Sequence, residues 1–136
     1  MYTKIIVPVD CGALDKGEKI LRKAATLLDA GGQIVLLTVV EDMPGYLAID
    51  LPVDIIENAI KDGRSKLVEL KEKTGIDARV ELRSGAPARE ILAAAHEHGA
   101  DLIIIASHVP DLANYFIGAT ADRVVRHSKC SVLVDR

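Results

Sequence analysis

Apolar positions along the chain follow two alternating patterns. Lys4–Asp10 (KIIVPVD), Gln33–Val40 (QIVLLTVV) and Leu102–Ser107 (LIIIAS) are short, nearly continuous apolar runs rich in β-branched residues. Such runs predict strands buried on both faces of a parallel sheet, with the last run central. Pro8, near the end of the first, suits a strand terminus. Between the runs the spacing becomes helical. Ile20, Leu21, Ala24, Leu27 and Leu28 mark one helix, with Asp15 as its cap and Gly31-Gly32 as its stop. Ile56, Ile60, Leu67 and Leu70 mark a long amphipathic helix over Val53–Thr74, with Gly75 past its end. Ala88, Ile91, Leu92 and Ala95 form one face of a third, opened by Pro87 and ended by Gly99. Ala121, Val124, Val125 and Ser128 mark a fourth.

Two further segments complete the alternation. Asp77–Arg83 (DARVELR) alternates apolar and charged residues, which predicts a half-exposed strand at a sheet edge. Ser131–Val134 (SVLV) predicts a last short strand. The order β-α-β-α-β-α-β-α-β predicts an α/β fold, a doubly wound parallel sheet with helices on both faces. Right-handed crossovers leave few topologies. No repeat or linker interrupts the pattern, so residues 1–136 read as a single domain. Glu41–Pro52 (EDMPGYLAIDLP) is a long loop, either a lid or a variable surface crossover.

Composition narrows the function classes. The chain has 136 residues, 49% of them hydrophobic, which suits one globular domain. A net charge of −3 without a Lys/Arg block argues against a nucleic-acid partner. Aromatic residues are only 3%, so base-stacking platforms are not expected. No apolar run approaches the roughly 18 residues of a membrane span. The start, MYTKIIVPVDCG, carries no signal-peptide pattern, so a cytoplasmic protein is expected. Cys11 and Cys130 are too few for a disulfide framework and are not spaced as metal ligands.

Ligands of open α/β sheets bind beyond the carboxyl ends of the strands, where the strand order reverses. If the first and fourth strands are neighbours there, Pro8, Val9 and Asp10 face Ser107 and His108. Asp10 then either accepts hydrogen bonds from a ribose or an amine, or caps a local turn. Val40, closing the second strand, would line a base pocket. Gly118, Ala119 and Thr120 open the last helix, where backbone N–H groups suit a phosphate, or they form a plain turn. His108 is either a phosphate donor and proton carrier or a loop histidine bonded to backbone. Arg123 and Arg126 are expected in solvent or at a subunit contact, His127 at a helix C-terminus, and His96 and His98 at a solvated helix end. Cys11 sits at the mouth of the expected site; Cys130 is expected as a small filler.

KIIVPVD, LTVV, SGAPAREIL and the closing DLIIIASH…GATADRVVRHSKCSVLVDR resemble the universal stress protein family over essentially the whole chain. The tail is most similar to the single-domain enterobacterial F/G-type branch. This resemblance implies a five-stranded sheet ordered 3-2-1-4-5, homodimers and, in many members, bound ATP. The ATP-binding members carry G-x2-G-x9-G-[S/T] after strand four. Here Ala106 and Val109 hold the first two glycine positions, the spacing to Gly118 is one residue shorter, and Ala119 follows it. Val109 adds a β-branched side chain where a phosphate would approach, and Ala119 removes a hydroxyl.

The expected function is a stress-response protein that binds ATP, AMP or ADP, with Mg²⁺ as an accompanying ion, and acts by binding and oligomerisation. A slow ATPase and an adaptor dimer with an empty crevice are the alternatives. No Walker lysine loop or paired carboxylates flank the Gly118 turn, so no catalytic residue and no metal ligand is assigned. The short apolar edge strand Ser131–Val134 is expected to pair with its symmetry mate in a homodimer, with a tetramer as the larger assembly. Receiver, AMP-forming pyrophosphatase and flavodoxin readings fit less well. Cys11-Gly12 follows Asp10 where they need an acidic pair or a Ser/Gly- or Ser/Thr-rich loop.

Overall fold

The computed structural model describes residues 1–41, 53–107 and 118–136. The elements are β1 (Tyr2–Pro8), α1 (Leu14–Leu27), β2 (Leu28–Val40), α2 (Val53–Thr74) and β3 (Arg79–Ser84), then α3 (Pro87–His98), β4 (Leu102–Ala106), α4 (Ala119–His127) and β5 (Ser131–Asp135). The five strands form one sheet in the order β3-β2-β1-β4-β5, with every pairing parallel. This is the doubly wound architecture that the alternating pattern predicts.

Side chains alternate across the central strands and divide the core in two. Ile5, Val7, Ile34, Leu36, Leu102 and Ile104 pack under α1 and α2, against Ile20, Leu21, Leu67 and Leu70. Ile6, Val35, Leu37, Ile103 and Ile105 pack on the other face under α3 and α4, against Ile91, Ala94, Ala121 and Val124. Both faces of β1, β2 and β4 are thus dry, which is why their sequences read as continuous apolar runs. Each large side chain buried this way contributes about 1.5–3 kcal/mol.

Asp101 fixes where β1 and β4 meet. Its carboxylate accepts hydrogen bonds from the Thr3 N–H and Oγ1 (2.9 and 3.0 Å) and from the Lys4 N–H (3.0 Å). Burial would raise its pKa, but these bonds hold it below the usual carboxylate value. The β1–β4 ladder then runs only over Ile5↔Leu102 and Ile6↔Ile103. On either side the ladders continue farther, to Pro8↔Leu37 and to Ala106↔Asp135. The sheet therefore opens between β1 and β4 at their carboxyl ends.

Several boundaries differ from the sequence reading. β1 ends at Pro8, two residues before Asp10, because Asp10 folds back into a turn: its backbone carbonyl accepts from the Ala13 N–H at 2.9 Å. Ala13, not Asp15, occupies the N-cap of α1, without a side-chain cap; Asp15 lies in the first turn, where its charge still suits the helix dipole. The Gly31-Gly32 pair does not stop α1. The helix ends at Leu27, and Leu28 already has extended backbone. The glycines fall inside β2, where the register jumps from Tyr2↔Leu28 to Lys4↔Gln33. Gly31 takes a φ of 80°, and a Cβ on Gly32 would lie 2.8 Å from the Thr3 carbonyl oxygen. They serve an irregularity in the ladder, not a helix cap. β3 is shifted to Arg79–Ser84 but is an edge strand as expected.

Two expected core positions are exposed. Ile56 is 44% exposed and Val125 43% exposed, so the buried stripes of α2 and α4 are shorter than the apolar spacing implies. Gly75 and Gly99 end their helices at φ values of 67° and 63°, and Pro87 opens α3. Beyond Glu41, the loop read as a lid or crossover lies outside the described residues. Among the described residues no helix is long and apolar enough to cross a membrane.

Candidate functional site

The opening between β1 and β4 is a cavity of about 410 Å³. Pro8, Val9, Asp10, Val40, Ala106, Gly118, Ala119 and Thr120, all singled out from the sequence, line it together. Ser107 does not line it, but its hydroxyl accepts from the Gly118 N–H at 3.4 Å and so touches the turn that does. His108 and Val109 lie outside the described residues.

Val9, the residue after β1, is still tied to β2. The Val9 N–H donates to the Leu37 carbonyl at 2.7 Å, and the Val9 carbonyl accepts from the buried Thr38 hydroxyl at 2.8 Å. Asp10 projects beyond this anchor into an exposed position. Its Oδ1 accepts from the Gly12 N–H at 2.8 Å, so the turn-capping role is realised, on one carboxylate oxygen at least. Cys11 follows at the mouth, with Sγ 3.5 Å from the Thr38 hydroxyl.

The N-terminus of α4 borders the same cavity as Asp10. Gly118 is its N-cap, with no side-chain cap hydrogen bond. The first N–H groups of a helix have no intrahelical acceptor, and the aligned peptide dipoles leave partial positive charge there. Asp122 in the first turn answers part of that charge, but its carboxylate is paired with Arg126 at 3.0 Å. Gly118, Ala119, Thr120 and Ala121 all border the cavity, so the positive end of the helix faces it. Val9, Val39, Val40, Ile91 and Ile105 give the cavity an apolar share of its lining.

The sequence reading missed several residues. Ala59, Asp62 and Gly63 of α2 border the cavity, as do Thr38 and Glu41. Gly63 offered a signal, a buried glycine in an otherwise regular helix. A Cβ there would come within 3.1 Å of Leu82 and 3.3 Å of Thr38, so its absence lets α2 lie against the sheet. Asp62 pairs with Lys66 at 3.0 Å, and this contact raises the Lys66 pKa. Lys16 of α1 was also missed: its ammonium donates to the Ser107 carbonyl at 3.2 Å. Farther along α1, Lys19 and Lys23 pair with Asp135 of β5 at 3.2 and 2.5 Å. The bond from Lys23, helped by Lys19 against the effect of burial, lowers the Asp135 pKa.

The histidines divide. His96 and His127 are exposed, whereas His98 is not at a solvated end: Nε2 lies 2.9 Å from Glu81 Oε1 and its side chain is 13% exposed. It joins a network in which Arg83 reaches Glu97, Glu90 and Glu81 at 2.8, 3.1 and 3.3 Å. Arg126 is tied to Asp122, and Arg123 is exposed. Cys130 is half-buried with Sγ 3.4 Å from the Ser128 hydroxyl. Among the described residues no group of three His, Cys, Asp or Glu side chains is placed to hold a metal ion.

Comparison with known proteins agrees with the fold. The family model of the universal stress proteins matches residues 1–136. Universal stress protein G of Shigella flexneri is 31% identical over 145 residues, covering 100% of both chains. The structure of the protein MJ0577 superposes with a TM-score of 0.76 at 25% identity, over 98% of this chain and 95% of that one. A universal stress protein in complex with cAMP gives 0.67 at 20% identity, over 99% and 97%. One from Archaeoglobus fulgidus in complex with dAMP gives 0.57 at 19%, over 99% and 98%. From β1 to β5, in topology and in sequence, the chain belongs to the universal stress protein family.

Proposed function

We propose that the crevice between β1 and β4 binds ATP or another adenine nucleotide, and that the protein acts in the stress response through that binding and not through efficient turnover. The observation that carries this reading is that the N-terminus of α4 and Asp10 border one cavity together with Val9, Val39, Val40, Ile91 and Ile105. The walls suit a purine, a carboxylate at the end of β1 suits hydroxyl or amino donors, and the helix N-terminus suits phosphate. The cAMP and dAMP complexes of similar fold have ligands of the same class. Mg²⁺ would arrive with the phosphates, supplying charge neutralisation beside Asp10. Any hydrolysis is slow in this reading, since the described lining offers no lysine in a phosphate loop.

A second reading is an adaptor dimer with an empty crevice. Three carboxylates, Asp10, Glu41 and Asp62, line the cavity and oppose a polyphosphate. Both readings share a homodimer through β5, a sheet-edge strand with Val132, Leu133 and Val134 half-buried. Denaturing the purified protein and analysing the supernatant for adenine nucleotide separates the two. Released nucleotide, or a thermal shift on adding ATP and Mg²⁺, supports the binding reading; neither one supports the adaptor.

A further inference from the structure

Beside the crevice, with which the first shares Pro87, Ala119 and Thr120, two hollows lie between α3 and α4 and form one groove. The first, of about 330 Å³, starts at Pro87 and Thr120; the second, of about 530 Å³, ends at Gly99 and Cys130; Leu92 and His127 line both. From Arg89 to Gly99 the groove follows about 15 Å of helix, at 1.5 Å per residue. Its floor is apolar and small-residued, with Ala88, Leu92, Ala95 and Ala100.

Among its described residues the rim carries charge of one sign. Arg89, Arg123 and Lys129 line it together with His96 and His127, and all five are exposed. Among the described residues no Asp or Glu lines either hollow. The acids of the same helices are turned elsewhere: Glu90 and Glu97 toward Arg83, and Asp122 toward Arg126. Arg89 approaches the Glu90 carboxylate at 3.7 Å, whereas Arg123 and Lys129 make no ion pair among the described residues. On a chain of net charge −3, this segregation places a basic border around an apolar trough.

We propose that this groove is a docking surface for an acidic amphipathic helical segment of a partner protein. An apolar stripe would lie on the alanine and leucine floor, and flanking Asp or Glu side chains would meet Arg89, Arg123 and Lys129. Three permanent cations around an apolar floor that has no aromatic side chain among its described residues suit such a helix better than they suit a nucleic acid, which needs a denser basic face and stacking partners.

The probe is a fluorescent synthetic peptide with Leu at helical spacing and Glu elsewhere, titrated into the full chain. The expected result is saturable binding that weakens about tenfold or more in Arg123→Glu/Lys129→Glu and is unchanged in Arg64→Glu on α2. The same peptide with Lys in place of Glu should bind at least about tenfold more weakly. Thermal melts check that each variant is folded, and Arg123→Gln/Lys129→Gln replaces the reversal if it is not. Absence of binding, equal affinity in the double variant, or equal affinity for the Lys peptide would overturn the proposal. So would tighter binding of a single-stranded oligonucleotide, or a self-assembly that the double variant dissolves, which would make the occupant a second copy of this chain.

Discussion

The ammonium of Lys16 lies 3.2 Å from the carbonyl oxygen of Ser107, a contact between residues 91 apart in the chain. It sets a cation beside the end of β4, where the Ser107 hydroxyl also meets the Gly118 N–H. A carbonyl is a weaker partner for an ammonium than a phosphate is, and Lys16 is exposed on a flexible stem. In the nucleotide-binding reading, Lys16→Gln is expected to weaken ATP about three- to tenfold and AMP less, by calorimetric titration. Equal losses for the two nucleotides would separate Lys16 from the outer phosphates.

Gly17 holds α1 against the end of β1. A Cβ there would lie 2.7 Å from Cγ1 of Val9, a stiff side chain that is 5% exposed. Alanine normally gains about 1 kcal/mol over glycine inside a helix. Overpacking a buried contact costs about 1–3 kcal/mol. Gly17→Ala is therefore expected to lower Tm, with a net cost of about 1 kcal/mol, and to displace Val9 and Asp10. An unchanged or raised Tm would show that α1 yields without disturbing β1.

Asp135 ties β5 to α1 through Lys23 and Lys19. Its pKa is lowered on folding, chiefly by the Lys23 bond. The stabilisation is therefore complete above the unfolded carboxylate value of about 3.9 and is lost as pH falls through the folded value. Asp135→Asn is expected to cost about 1–2 kcal/mol at neutral pH. The melting-temperature gap between wild type and variant should stay constant from pH 7 to about 4 and narrow below. A gap that persists undiminished at pH 2 would assign the loss to something other than the charge.

Two apolar residues of α2 should behave differently. Leu67 is fully buried, and Leu67→Ala is expected to cost about 2–5 kcal/mol in denaturant unfolding. Ile56 is 44% exposed, and Ile56→Ala should cost no more than about 0.5 kcal/mol. Equal costs would mean that Ile56 is covered in solution.

What could be read from the chain alone follows from how local each cause is. The dry strands β1, β2 and β4, the Pro87 start of α3 and the Gly99 end declare themselves within a few residues. The glycine pair at 31–32 misled because its reason is the β1–β2 register, set by residues near the N-terminus. Ile56 and Val125 keep helical spacing past the point where a sheet lies beneath them. The candidate cavity was legible at the strand ends and at the Gly118 turn, since topology alone converges them. Lys16 and the His98–Glu81 contact were not, because each depends on a partner brought near only by tertiary packing, and neither was Asp62, which reaches the cavity only through the packing of α2.

The most direct test is calorimetric titration of wild type and Gly118→Val with ATP and Mg²⁺. A valine at the N-cap of α4 would set a β-branched side chain against the N–H groups that face the cavity. Saturable binding to wild type, lost in a variant with an unchanged melting profile, is the expected result. Binding that survives in Gly118→Val, or no binding to wild type after any co-purified nucleotide has been stripped, would contradict the nucleotide role of this crevice.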